Sequence, residues 1–204
     1  MTSKIFVEEQ QVIEDSFELG VKIFNSGFRP TFIVGLWRGG STVGIYLQEC
    51  LQTLNITTNH IALRTSYNGR RDYEAALKTP NKPISVHGTQ YLLDTLNRED
   101  RLLLVDDVFG SGRTLAAVLE KLTMRLKRNL PQEIKTACLF QRQSSSASVA
   151  PPDYVGKTIS SWVTLPYELQ DLSLAELKTH KPAFLTITEQ NALALPSSFY
   201  YESS

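Results

Sequence analysis

Apolar positions recur along this chain at two spacings. Across residues 8–25, Ile13, Phe17, Val21 and Phe24 fall on one helical face and Gly27 offers a stop, which predicts a helix ending near Asn25. Residues 31–36 form a short apolar run, as in a strand covered on both faces. Arg38-Gly39-Gly40 then turns the chain into a second helix, about 41–54, with Val43, Leu47, Leu51 and Leu54 as its stripe. Residues 60–64 read as strand, and 66–90 turn polar and irregular, with Asn68-Gly69, Pro80, Pro83 and Gly88. Residues 101–105 are the clearest strand, ending on Asp106-Asp107. A Gly-rich turn leads from there into a helix over about 114–129, with Leu115, Val118, Leu119, Leu122 and Leu126 inward. Residues 134–140 and 158–165 read as two more strands, joined by the Ser-rich stretch 143–149.

Strand alternating with helix predicts an α/β fold, a parallel twisted sheet flanked by helices and joined by right-handed crossovers. Ligands of such sheets sit beyond the carboxyl ends of the strands, where Arg38-Gly39-Gly40 and Asp106-Asp107 both project. At 204 residues one domain is expected, 1–204, with a mobile hood loop at about 66–90 and a C-terminal appendage at about 175–204. The 21 basic and 21 acidic residues cancel, which argues against a nucleic-acid coat or a membrane-surface binder. Cys50 and Cys138 lack metal-type spacing and read as buried thiols of a reducing compartment. The first residues turn acidic where a signal peptide would continue apolar, and no run is long enough to span a membrane. A cytoplasmic protein is expected.

The chemistry concentrates in residues 102–115: a buried strand, two carboxylates, a Gly-rich turn and a helix start. Gly110 and Gly112 allow positive φ and close approach of the backbone to a ligand. N–H groups of the turn, backed by the helix dipole, suit a phosphate, and Ser111 and Thr114 add hydroxyls. The acids point to a cation or a diol at the ligand's other end. A Walker loop ending on Gly112 would need Lys where Arg113 stands, and a dinucleotide fingerprint from Gly110 would need Gly where Leu115 stands.

Residues 102–115 resemble the phosphoribosyl pyrophosphate motif of type I phosphoribosyltransferases. The resemblance implies transfer of ribose 5-phosphate from phosphoribosyl pyrophosphate to a base, with Mg²⁺ as cofactor. Asp106 and Asp107 would then face the ribose hydroxyls and the metal, and residues Val108, Phe109, Gly110, Ser111, Gly112, Arg113 and Thr114 would wrap the 5′-phosphate. Three further stretches support it in order. The stretch 34–40, with Trp37, Arg38 and Gly39, is similar to the pyrophosphate loop of purine enzymes, which implies a cis Trp37–Arg38 peptide and Arg38 on pyrophosphate. Ser66-Tyr67 resembles the start of the catalytic hood, which closes over an oxocarbenium-like transition state. Residues 161–168 resemble the base-binding segment of xanthine-guanine enzymes, implying Trp162 as stacking platform and Val163 beside it, while Arg142 stands where the family carries a Lys that donates to a 6-oxo group. The implied base is a 6-oxopurine, in a purine-salvage role, and the implied assembly a homodimer or homotetramer. One position departs from the pattern: Gly110 stands where 6-oxopurine enzymes carry a third acid. It leaves open another heterocycle, or a protein of the same fold that senses a nucleotide or phosphoribosyl pyrophosphate with little catalysis.

Overall fold

The computed structural model describes residues 4–65, 84–143 and 149–196. Two compact units emerge, the larger holding the described residues up to Leu165 and the smaller those from Pro166 onward. In the larger unit the order is β1 (Lys4–Phe6), α1 (Glu9–Asn25), β2 (Phe32–Trp37), α2 (Gly39–Thr53), β3 (Asn59–Thr65), β4 (Val86–His87), α3 (Gln90–Thr95), β5 (Arg101–Phe109), α4 (Arg113–Leu126), β6 (Glu133–Arg142), β7 (Tyr154–Ile159) and β8 (Trp162–Thr164). The smaller unit contributes α5 (Leu174–His180), opened by a Ser173/Glu176 capping box, and α6 (Pro182–Gln190), which starts on proline.

The main sheet runs β4-β3-β2-β5-β6-β7, parallel throughout except for β4 at the edge, so the predicted α/β sheet is present. Residues alternate across it as period two demands. Phe32, Val34, Leu36, Leu102 and Leu104 join Leu115, Val118, Leu122 and Leu126 of α4 in one core cluster. Ile33, Leu103 and Val105 alternate with them and are also fully buried. On that side Ile33 Cγ2 lies 3.7 Å from where a Cβ on Gly44 of α2 would stand. Each side chain of the 102–105 run is 0% exposed, and burial of such side chains is worth about 1.5–3 kcal/mol apiece, which makes β5 the rigid spine of the fold.

Four expectations need correction. The stripe Ile13, Phe17, Val21 and Phe24 is not the inward face of α1; Phe17 and Val21 are exposed, and Val12, Ser16, Leu19, Gly20 and Ile23 are buried. Close packing decides this, because a Cβ on Gly20 would stand 2.7 Å from Cys50 Sγ of α2. The run 158–165 is two strands, the end of β7 in the main sheet and β8 in a small parallel pair with β1, a strand the apolar pattern does not predict. Within 66–90, Val86–His87 is an antiparallel edge strand against Arg64 and Thr65. Lastly, β5 does not stop at the acids but continues to Phe109 along β6.

Candidate functional site

Chain order across the sheet places the site. From β2 the chain crosses through α2 to β3 on one side, and from β5 through α4 to β6 on the other. The order therefore reverses between β2 and β5, and a crevice opens at their carboxyl ends. Pairing between these two strands ends at Gly35 and Val105, so Asp106 is the first β5 residue beyond it. The loop after β2 and the loop after β5 flank this crevice.

On the β2 side, Trp37 ends the strand, 55% exposed, and the Trp37–Arg38 peptide is cis, as the resemblance implied. Helix α2 starts at once on Gly39-Gly40, both buried, and no side chain caps it. The glycines are required by contact. A Cβ on Gly40 would sit 2.3 Å from Val105 O and 2.9 Å from Asp106 Cα, and one on Gly35 would sit 2.6 Å from Ser41 Cα. The start of α2 thus lies directly against the acid-bearing end of β5. Ser41, buried in the first turn of α2, has an Oγ with no hydrogen-bond partner.

On the β5 side, Asp107 N–H donates to Asp106 Oδ1 (3.1 Å) and Val108 N–H to Asp107 Oδ1 (2.9 Å), which fixes both carboxylates at the crevice. Burial pushes the Asp106 carboxyl well above the usual carboxylate range, and the adjacent Asp107 charge and side chain push it further. A divalent cation would relieve that repulsion. Gly112, at φ +75, turns the loop into α4, and no side chain caps this helix either. A Cβ on Gly112 would meet Val149 Cβ at 2.8 Å and the Phe109 ring at 2.9 Å, so both conformation and space reserve the position for glycine. The loop from Phe109 to the first turn of α4 can accept an anion on backbone N–H groups.

Further along the same edge, Arg142 closes β6 and Trp162 opens β8. The Arg142 guanidinium lies over the Trp162 ring, 5.2 Å from its centroid, a cation–π pair. Val163 beside it is buried.

The profile of the phosphoribosyl transferase domain matches residues 6–172. The chain belongs to that family. As a phosphoribosyltransferase it is a pentosyltransferase of type I fold. It is 31% identical over 162 residues to the bifunctional protein PyrR of Halalkalibacterium halodurans, covering 77% of this chain and 84% of the relative. Among solved structures, the purine phosphoribosyltransferase of Pyrococcus horikoshii superposes with a TM-score of 0.59 at 24% identity, over 83% of this chain and 97% of that one. The xanthine-guanine-hypoxanthine phosphoribosyltransferase of Helicobacter pylori gives 0.61 at 21% identity, over 87% and 100%.

In this phosphoribosyltransferase, Trp37, Arg38, Gly39, Asp106, Asp107 and the 108–114 loop gather around the crevice between β2 and β5. Arg142 and Trp162 meet further along the edge, beyond β6. Ser66 and Tyr67 lie outside the described residues. Ser41 is absent from the residues expected at the site, and Gly40 enters there only as part of the 34–40 loop; the available signal was a Gly-Gly-Ser run at a strand-to-helix turn, which spacing alone does not separate from an ordinary tight turn. No helix among the described residues is long and apolar enough to cross a membrane.

Proposed function

We propose that this chain transfers ribose 5-phosphate from phosphoribosyl pyrophosphate to a 6-oxopurine, with Mg²⁺ held at Asp106 and Asp107. The observation that carries this reading is the placement of the Asp106-Asp107 pair and the Phe109–Thr114 loop on β5 beside the cis-peptide loop of β2, with the Arg142/Trp162 pair further along the same edge. Two carboxylates with hard oxygen donors fit Mg²⁺, which commonly takes one or two protein carboxylates and fills its shell from substrate phosphates and water. Bound there, the ion would offset the charge of the leaving pyrophosphate.

In this reading, backbone N–H groups of the 109–114 loop hold the 5′-phosphate, with Ser111 and Thr114 adding hydroxyl donors. Asp106 and Asp107 orient the ribose hydroxyls. Arg38 and the start of α2 stabilise pyrophosphate, and the orphaned Ser41 hydroxyl supplies one more donor at that end. Trp162 stacks on the base while Arg142 donates to its oxo group. The C1–O bond to pyrophosphate breaks as the base nitrogen bonds C1, and the base's proton leaves to pyrophosphate or water, because Gly110 offers no acceptor. Ser66 and Tyr67 would close the hood over this step. The role fits purine salvage in the cytoplasm, with the chain acting as a homodimer or homotetramer.

A second reading rests on Gly110 and on the bifunctional PyrR relatives. The acceptor would be a pyrimidine or another heterocycle, with ligand sensing beside turnover. Pyrophosphate release with Mg²⁺, phosphoribosyl pyrophosphate and a panel of bases, with products weighed by mass, separates the two. Hypoxanthine- or guanine-dependent release, raised in Gly110→Asp and impaired in Asp107→Asn, supports the purine reading. Release with uracil alone moves the assignment to the pyrimidine reading, and full activity in Asp107→Asn would overturn the role given to the acids.

A further inference from the structure

We propose a second anion site at the opposite, amino-terminal edge of the sheet, built to bind a small organic phosphate such as a nucleoside monophosphate. The chain forms a cavity of about 440 Å³ there, lined by the end of α1 (Phe24), the lead into β2 (Arg29, Pro30), the turn after α2 (Asn55 to Thr57) and the start of β5 (Arg101). That volume lies in the range of small-molecule pockets.

Charge selects the ligand class. Arg29 and Arg101 are both half-buried, no carboxylate lines the cavity, and neither forms a salt bridge among the described residues. Their internal bonds use only part of each guanidinium. Arg29 spends Nη1 on Phe24 O (2.7 Å) and Phe28 O (3.1 Å), and Arg101 spends Nε on Arg29 O. Arg29 also stacks over the Phe24 ring, 4.3 Å from its centroid, and the remaining N–H groups of the two arginines form a cationic wall with no carboxylate against it. Asp100, next to Arg101 in the chain, accepts at Oδ1 from Thr31 Oγ1 and at Oδ2 from Asn97 N–H, each at 2.8 Å, and forms no salt bridge with either arginine among the described residues.

The carboxyl-terminal ends of α1 and α2 both reach this cavity, so part of the arginine charge offsets their negative dipole ends. Phe24 O is bonded to Arg29 and to Gly27 N–H, and Leu51 O to Leu54 and Ile56 N–H, so these helix-end carbonyls are already satisfied. Asn55, held at φ +62, and Thr57 also line the cavity, while Leu54 and Ile56 give it an apolar wall. Two guanidiniums, two neutral polar groups and an apolar wall match a phosphate monoester with a flat organic body.

The test is residue-resolved NMR of the full ¹⁵N-labelled chain titrated with inorganic phosphate and, separately, inosine 5′-monophosphate. The expected result is saturable movement of the amides of 29, 55–57 and 101, with a midpoint below about 1 mM for the nucleotide, separate from any movement in 108–114. Thr57→Glu, an exposed substitution that places a carboxylate beside the guanidiniums, should raise that midpoint about two- to fivefold, and Arg101→Gln, which removes a charged donor, about tenfold. Movement confined to 108–114, non-saturating shifts at 55–57 and 101, or an unchanged midpoint in Thr57→Glu would each overturn the proposal.

Discussion

Gly40→Ala tests whether the close contact of α2 with β5 governs both stability and the site. The added Cβ would stand 2.3 Å from Val105 O, 2.9 Å from Asp106 Cα and 3.1 Å from Val105 C, all backbone atoms of the central strand β5. None can swing away as a flexible side chain could, so α2 must retreat from β5 or the Asp106 end must bend. Overpacking of this kind costs about 1–3 kcal/mol, and three backbone contacts inside van der Waals distance place this case near the upper end. For a chain of this size, about 3 kcal/mol lowers Tm by roughly 6–12 °C. Gly27→Ala is the control. Gly27 has positive φ, at +86, which the helical Gly40 does not, and nothing lies within 4 Å of its Cβ position, so it bears conformational cost without overlap. Urea denaturation gives the stability of each, and calorimetric titration of phosphoribosyl pyrophosphate with Mg²⁺ gives site integrity. Gly40→Ala should lose both stability and ligand affinity, and Gly27→Ala should retain affinity. Native-like stability and affinity in Gly40→Ala would refute the argument that the two loops are held in register through this contact.

Two further outcomes follow from buried and paired groups. Cys138 is fully buried, and burial, aided by the Asp106 charge, pushes its thiol up to about 12; at pH 8 only about one molecule in 10⁴ carries the thiolate. Thiol reagents should label it at the rate of global unfolding, and rapid labelling of the native protein would contradict its burial. Burial pushes the Asp153 carboxyl up, but hydrogen bonds from Lys135 Nζ, Thr136 N–H and Thr136 Oγ1 hold it below its ordinary value. Stability from Asp153 is therefore complete above the unfolded carboxylate range near pH 4 and lost as pH falls through the lower folded value. Asp153→Asn should cost about 1 kcal/mol or less at pH 7, the pair being partly open to solvent, and the gap should close near pH 3; a gap that persists there would show that the charge is not its source.

The sheet was legible because its strands are buried on both faces. An apolar run of four residues such as 102–105, bounded by polar turns, has few other places to go. The strand-to-helix turn after β5 was legible for a different reason: two acids and then Gly-Ser-Gly after an apolar run mark a strand end and a turn that needs glycine, and Gly112 takes positive φ there. The inward face of α1 was not legible, because apolar side chains occupy both faces and the small residues decide. Gly20 brings α2 close and Ser16 is buried one turn before it, and periodicity counts neither as hydrophobic. Strand β1 and the break between β7 and β8 also escaped, since three-residue strands pairing over a separation of about 160 residues leave no local period to read. Likewise β5 runs through both acids because β6 continues beside it after β2 has ended, a long-range pairing that a local switch from apolar to acidic does not report.

The acid pair also sets the order of binding expected at the site. Among the described residues no three of His, Cys, Asp and Glu cluster closely enough to hold a metal ion, and Asp106 resists ionisation where it stands beside Asp107. Two such carboxylates cannot enclose an ion that demands six oxygens in near-octahedral array, so the remaining oxygens must come from water and from the pyrophosphate of the substrate. Mg²⁺ alone should therefore bind weakly, with little heat below roughly 1 mM, while phosphoribosyl pyrophosphate should bind far more tightly with Mg²⁺ than without it. The difference should shrink in Asp107→Asn. Calorimetry of Mg²⁺ against the free chain, then of phosphoribosyl pyrophosphate with and without the ion, reads this directly. Tight binding of Mg²⁺ to the free chain would mean that the protein supplies a complete metal cage of its own, and that the pair does more than meet a metal arriving with its substrate.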